Sequence, residues 1–137
     1  LEPFPRLVAS SVYGRQMLIL FAFKGFVYLF TYVDSDIFPD TGVVYRDDKT
    51  VRTPIFGFPN TMNKTNAVAE FQNDMYIGLE NGELWKFDGV TFTLLLTFSN
   101  PVSTLVGDNE YLYIVQSNSS QISLYDGTNF YDSDVET

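Results

Sequence analysis

The 137-residue chain contains no cysteine and no histidine. The first absence excludes a disulfide framework, a thiolate nucleophile and a zinc-thiolate site; the second removes the commonest metal ligand and general base. A large block of enzyme chemistry is closed, and no cofactor is expected. The missing disulfides leave the compartment open, because cytosolic, virion and many surface proteins fold without them.

Cations are also scarce. Eight Lys and Arg face seventeen Asp and Glu, for a net charge of −9, and the eight are scattered singly. Phosphate backbones are held by clustered cations, so nucleic acid is not an expected partner, nor are anionic membranes. A long hydrophobic run is missing as well. The nearest candidate, "MLILFAFKGFVYLF" at 17–30, has Lys24-Gly25 at its centre and falls short of the roughly 20 residues a membrane span needs. It also lies too far from the N-terminus, with no basic start, to read as a signal peptide. Two short strands, 17–23 and 26–32, joined by a tight turn at Lys24-Gly25, fit it better. A chain that opens on Leu1 reads as a processed product or a piece of something longer.

What is present is apolar and aromatic. Hydrophobic residues make up 45 % of the chain and aromatics 17 %, which predicts a packed globular core. Beta-branched and aromatic runs bounded by Gly, Asn, Asp and Pro predict further strands at 42–46, 51–58, 67–71, 75–79, 83–87, 92–98, 103–106, 111–115 and 122–125. No window has a helical period; 66–71 comes nearest and is too short, so it reads as strand.

The strands are organised by repetition. "FQNDMYIGLENGELWKFDGVTF" and "VGDNEYLYIVQSNSSQISLYDGTNF" share one plan: turn, aromatic-rich strand, polar loop, second strand, then an aromatic, Asp-Gly and a closing Phe. Tyr76 corresponds to Tyr113 at a spacing of 37, and Phe87-Asp88-Gly89 to Tyr125-Asp126-Gly127 at 38. A weaker upstream copy aligns through Tyr28, Gly42, Tyr45 and Asp48, and carries a longer loop at 33–41.

A repeat of about 38 residues with four short antiparallel strands resembles a β-propeller blade. "MYIGLENGELWKFDGVTF" is most similar to the repeats of two-component-regulator-type propellers and of propellers in bacterial surface and phage tail proteins. The resemblance spans about residues 17–130. It implies an all-β module over 1–137 with blades at 17–58, 66–98 and 102–137, and 7–12 as an outer strand of a preceding blade. Pro54 and Pro59 then fall on an outermost strand, where a missing amide hydrogen is tolerated. A β-sandwich is the alternative fold. Closed propellers have four to eight blades, so three leave two apolar faces uncovered. Copies of the chain, six blades from two being the simplest count, or other protein partners are expected to complete the ring or assembly.

Candidate chemistry is thin. Asp34, Asp36 and Asp40 in "VDSDIFPDTG" offer oxygen ligands for calcium, without the spacing of an EF-hand loop; Asp132, Asp134 and Glu136 form a second acidic group. A glycosidase would draw its carboxylates from Glu70, Glu80, Glu83, Asp88 and Asp126, with Arg15, Arg46 and Arg52 as clamps, but Asp-Gly recurs with the repeat and reads as a turn. Trp85-Lys86, aligned with Tyr45-Arg46, sets an aromatic beside a cation and is the candidate ligand-binding pair for a glycan. The third copy has Ser123-Leu124 there. Sequons stand at Asn63 and Asn118. The expected function is a non-catalytic structural or interaction module of a larger virion, phage-tail or cell-surface assembly. A glycan-binding, lectin-like module is the alternative, and a fragment of a propeller glycoside hydrolase the third reading.

Overall fold

The computed structural model describes residues 15–33 and 41–134. Among them the regular structure is entirely β, in three antiparallel four-stranded sheets. No helix among the described residues is long and apolar enough to cross a membrane. The expected strand at 7–12 and the acidic residues Asp34, Asp36, Asp40 and Glu136 lie outside the described residues. The chain divides into two compact units, Leu1–Lys64 and Thr65–Thr137.

The first unit holds one meander: β1 (Gln16–Phe23), β2 (Phe26–Val33), β3 (Thr41–Asp47) and β4 (Arg52–Gly57), paired in sequence order. Lys24 and Gly25 make the β1–β2 turn with φ of 48° and 86°, the left-handed geometry that suits the twist of a two-residue hairpin. Pro54 lies on β4, the sheet's edge strand, so its missing N–H costs no ladder bond. Asn63 anchors the end of the unit. Its buried side-chain amide donates to the Phe58 carbonyl at 2.7 Å and accepts from the Gly42 N–H at 2.8 Å.

The second unit holds two such meanders. One comprises β5 (Thr65–Phe71), β6 (Asp74–Leu79), β7 (Glu83–Phe87) and β8 (Phe92–Thr97); the other β9 (Val102–Gly107), β10 (Leu112–Gln116), β11 (Gln121–Tyr125) and β12 (Phe130–Asp134). The two sheets stack face to face, chiefly through β9 against β5 and β6. Ala67, Ala69, Phe71, Tyr76 and Leu84 from one face, with Val102, Leu105, Leu112, Ile114 and Tyr125 from the other, form the core between them. Because side chains alternate across a strand, each sheet has a second face: Met75, Ile77 and Phe87 on one side of the pair, and Tyr113, Val115, Ile122 and Leu124 on the other.

The stack is close because small residues permit it. A side-chain carbon on Gly78 would run into Val102, and one on Gly107 would meet the Glu70 carbonyl. Gln72 crosses between the sheets, its amide donating to the Asp126 carbonyl at 3.2 Å.

Candidate functional site

The Asp-Gly motifs are turns. Asp88 Oδ1 accepts from the Val90 and Thr91 amides at 2.8 Å, and Gly89 takes φ 107°. Asp126 treats Thr128 and Asn129 the same way, at 2.8 and 2.7 Å, with Gly127 at φ 102°. In the first sheet Asp48 caps Thr50 and Val51, and Lys49 carries the positive φ of 76°. A carboxylate accepting two amide hydrogens closes the turn locally. Those bonds hold Asp48 and Asp126 below the ordinary carboxylate range.

The residues flanking these turns repeat too. Phe87 stacks on Phe92 with ring centroids 4.2 Å apart, and Tyr125 on Phe130 at 4.4 Å. At the same register position the first sheet has an ion pair, Arg52 Nε to Asp47 Oδ2 at 3.3 Å. A fourth aspartate turn joins β9 to β10, where the repeat predicts a turn but sequence reading assigns Asp108 no part in it. Asp108 there accepts from the Glu110 and Tyr111 amides at 2.7 and 2.8 Å, which lowers its pKa in turn. Its signal is present in the chain: "GDNEY" has the Asp spacing of the other three.

The aromatic-cation pairs are each split by the strand that carries them. Neighbours on a strand project to opposite faces, so neither Trp85 with Lys86 nor Tyr45 with Arg46 is brought onto one surface. Trp85 is buried and its Nε1–H donates to the buried Glu83 carboxylate at 2.9 Å. Lys86 is half-buried, with Nζ 3.9 Å from Asp74 Oδ2. Tyr45 is buried, and the Arg46 guanidinium lies 4.7 Å from the centroid of the Phe26 ring. Burial raises the Tyr28 pKa, and the neighbouring Arg46 charge partly opposes the rise.

Of the carboxylates weighed for catalysis, Glu83 is committed to Trp85, Glu80 accepts from the Asn66 amide at 2.8 Å, and Asp88 and Asp126 cap turns. No group of three or more metal-ligating side chains occurs among the described residues. Of the sequons, Asn63 is buried and doubly hydrogen-bonded, while Asn118 is exposed at φ 60°.

Two surfaces stand out in the second unit. One is a polar cleft of about 300 Å³ in the second unit, lined by Thr97, Phe98, Ser99, Gln116, Gln121 and Asp132 among others. The other is the outer face of β9–β12. Cross-strand register puts Val106, Tyr113, Leu124 and Tyr131 in one row and Thr104, Val115 and Ile122 in the next. Val106 is 54 % exposed and Tyr131 47 %. Tyr113 and Val115 occupy the positions of Tyr76 and Gly78, which in the preceding sheet are buried in the stack. In the first sheet Met17, Leu20 and Val27 are exposed, Leu20 by 61 %, whereas Leu29, Thr31 and Tyr45 on the same face are buried. No protein-family model matches the chain, and no curated protein is similar to it.

Proposed function

We propose that the three sheets are blades of a propeller-type stack and that the chain is a non-catalytic structural or interaction module, working through its sheet faces within a larger assembly. One observation carries this reading. β5–β8 buries a face against β9–β12, and the last sheet offers the same positions again, apolar and open. A face holding Val106, Tyr113, Val115, Ile122, Leu124 and Tyr131 is a hydrophobic docking surface rimmed by tyrosine hydroxyls, the composition of an interface core. The candidate aromatics and carboxylates support it from the other side, since their geometry serves packing and turns.

The test is hydrophobic-dye fluorescence on the dilute chain, compared with Val106→Glu. Strong fluorescence that falls in the variant, at an unchanged melting temperature, supports a working face; equally weak fluorescence in both contradicts it.

Glycan binding is the second reading, favoured by the polar cleft. Its volume is at the lower end of ligand pockets, and the Gln116 and Gln121 amides with the Asp132 carboxylate are groups that hydrogen-bond sugar hydroxyls. A glycan array read with the unmodified chain and with Gln121→Ala tests it. Reproducible sugar binding lost in the variant supports this reading, and an array without signal removes it.

A further inference from the structure

We propose that the outer face of β9–β12 docks a basic protein partner, one that presents an apolar strip with Lys or Arg along one end. The inference rests on the face-binding function above and names the partner's chemistry.

The face has an apolar middle and an acidic end. Its two rows, Val106, Tyr113, Leu124 and Tyr131, then Thr104, Val115, Ile122 and Ser133, contain no charged residue. Antiparallel pairing brings the β9–β10 and β11–β12 turns to the same end of the sheet, beside the row that holds the tyrosines. Those turns carry Asp108, Glu110 and Asp126. Two of the carboxylates are tied to the face itself. The Tyr131 hydroxyl donates to Asp126 Oδ2 at 3.2 Å, and the Tyr113 hydroxyl hydrogen-bonds Asp108. Tyr111 adds a third ring at this end, edge-on to Tyr113 with centroids 6.3 Å apart. Tyrosine rings next to carboxylates suit Lys or Arg: the aliphatic stem lies along the ring while the charged head reaches the carboxylate.

Charge singles out the partner. No Lys or Arg follows Lys86 in the chain, so the last sheet has acids and no base of its own. Lys86 is the one cation in 65–137, and its Nζ lies 3.9 Å from Asp74 Oδ2. A second copy that stacked its own β9–β12 face here would bring more carboxylates and no cation to meet them. The first sheet of a second copy does not fit either, since β2 is buried on both sides: Leu29 and Thr31 on one, Tyr28, Phe30 and Tyr32 on the other. Anionic lipid and nucleic acid are repelled by the same carboxylates. The complementary surface is that of a different protein, apolar over the valines and leucine and basic over the tyrosines.

The probe is a short synthetic peptide alternating Leu and Lys, with alternating Ser–Lys and Leu–Glu peptides as controls, read by fluorescence anisotropy on the whole chain. Leu–Lys is expected to bind at least about tenfold more tightly than either control, because it alone supplies both apolar burial and cations. Val106→Ser, at an exposed position, is expected to weaken that binding by about fivefold. Asp108→Asn combined with Asp126→Asn is expected to weaken it by about fivefold as well. Asp48→Asn combined with Asp88→Asn removes the same charge from the same kind of turn in the other two sheets, and is expected to change binding by less than about twofold. Asparagine keeps an oxygen that caps the turn, and melting temperature checks each fold.

Equal binding of Leu–Lys and either control, equal losses in the two double variants, or no peptide binding overturns the inference. So does a dimer of the unmodified chain in sedimentation velocity that Val106→Glu dissociates, which gives the face to a second copy. If dye fluorescence falls with Val106→Glu while the peptides fail these tests, the basic-partner inference fails and the face-binding function stands. If the dye signal is absent as well, both fail.

Discussion

Gly78 and Val102 approach so closely across the two stacked sheets that a Cβ on Gly78 would stand 2.8 Å from the Val102 Cβ. The glycine is required by space, since no positive φ is involved. Gly78→Ala is expected to destabilise the chain by about 1–3 kcal/mol, the usual cost of overpacking, measured by urea unfolding. Gly78→Ala combined with Val102→Ala should recover part of the loss, because the second change removes the obstructing branches.

Asn63 satisfies two backbone groups at once, the Phe58 carbonyl and the Gly42 N–H. Asn63→Ala removes both bonds in a buried setting and is expected to cost about 2–4 kcal/mol, from one to two unsatisfied groups. Asn63→Asp keeps the acceptor for Gly42 but sets a carboxylate against the Phe58 carbonyl, so its thermal stability should fall with rising pH. Equal melting temperatures for all three proteins would refute this anchoring role.

Lys49 holds a left-handed φ of 76° at the turn position that Gly89 and Gly127 fill in the other sheets. The repeat thus supplies its own replacement. Lys49→Gly is expected to raise stability by about 0.5–1 kcal/mol by relieving the Cβ, a shift that thermal unfolding resolves.

Stability should fall at both ends of the pH range, for opposite reasons. Asp48, Asp108 and Asp126 titrate lower folded than unfolded because backbone amides bind the charged form. Their contribution is full above the unfolded carboxylate pKa and is lost as pH falls through the folded values, below about pH 4. Tyr76 and Tyr125 titrate higher folded than unfolded, chiefly through burial. Stability should therefore decline once pH rises past the unfolded phenol value of about 10. Asp126→Asn is expected to flatten the acid limb of the stability curve; an unchanged limb would remove the capping explanation for that turn.

Strand content is legible because eleven of the twelve described strands carry apolar or β-branched runs between turn residues. β12, Phe130–Asp134, is the exception. "FYDSD" has no apolar alternation, and as an edge strand it is held to β11 by backbone pairing, the Phe130–Tyr125 stack and the Ser123 hydroxyl donating to Asp132, none of which shows as a period-two pattern. The Asp-Gly turns are legible because their hydrogen bonds are local.

Which face of a sheet lies open is not legible. Tyr76 and Tyr113 correspond in the repeat, yet Tyr76 is buried in the stack and Tyr113 lies half-buried on an outer face. That difference comes from what packs next in space, and the sequence of the repeat is nearly silent on it. Strand alternation explains the aromatic-cation pairs as well: Trp85 and Lys86 are adjacent in sequence and on opposite faces in the sheet.

The most direct test of the central claim, that the outer face of β9–β12 is a working apolar surface, is hydrophobic-dye fluorescence of the dilute chain beside Val106→Glu, which sets a charge in the row of Val106, Tyr113, Leu124 and Tyr131. The account predicts strong fluorescence that falls in the variant at an unchanged melting temperature. Equally weak fluorescence from both proteins would contradict it.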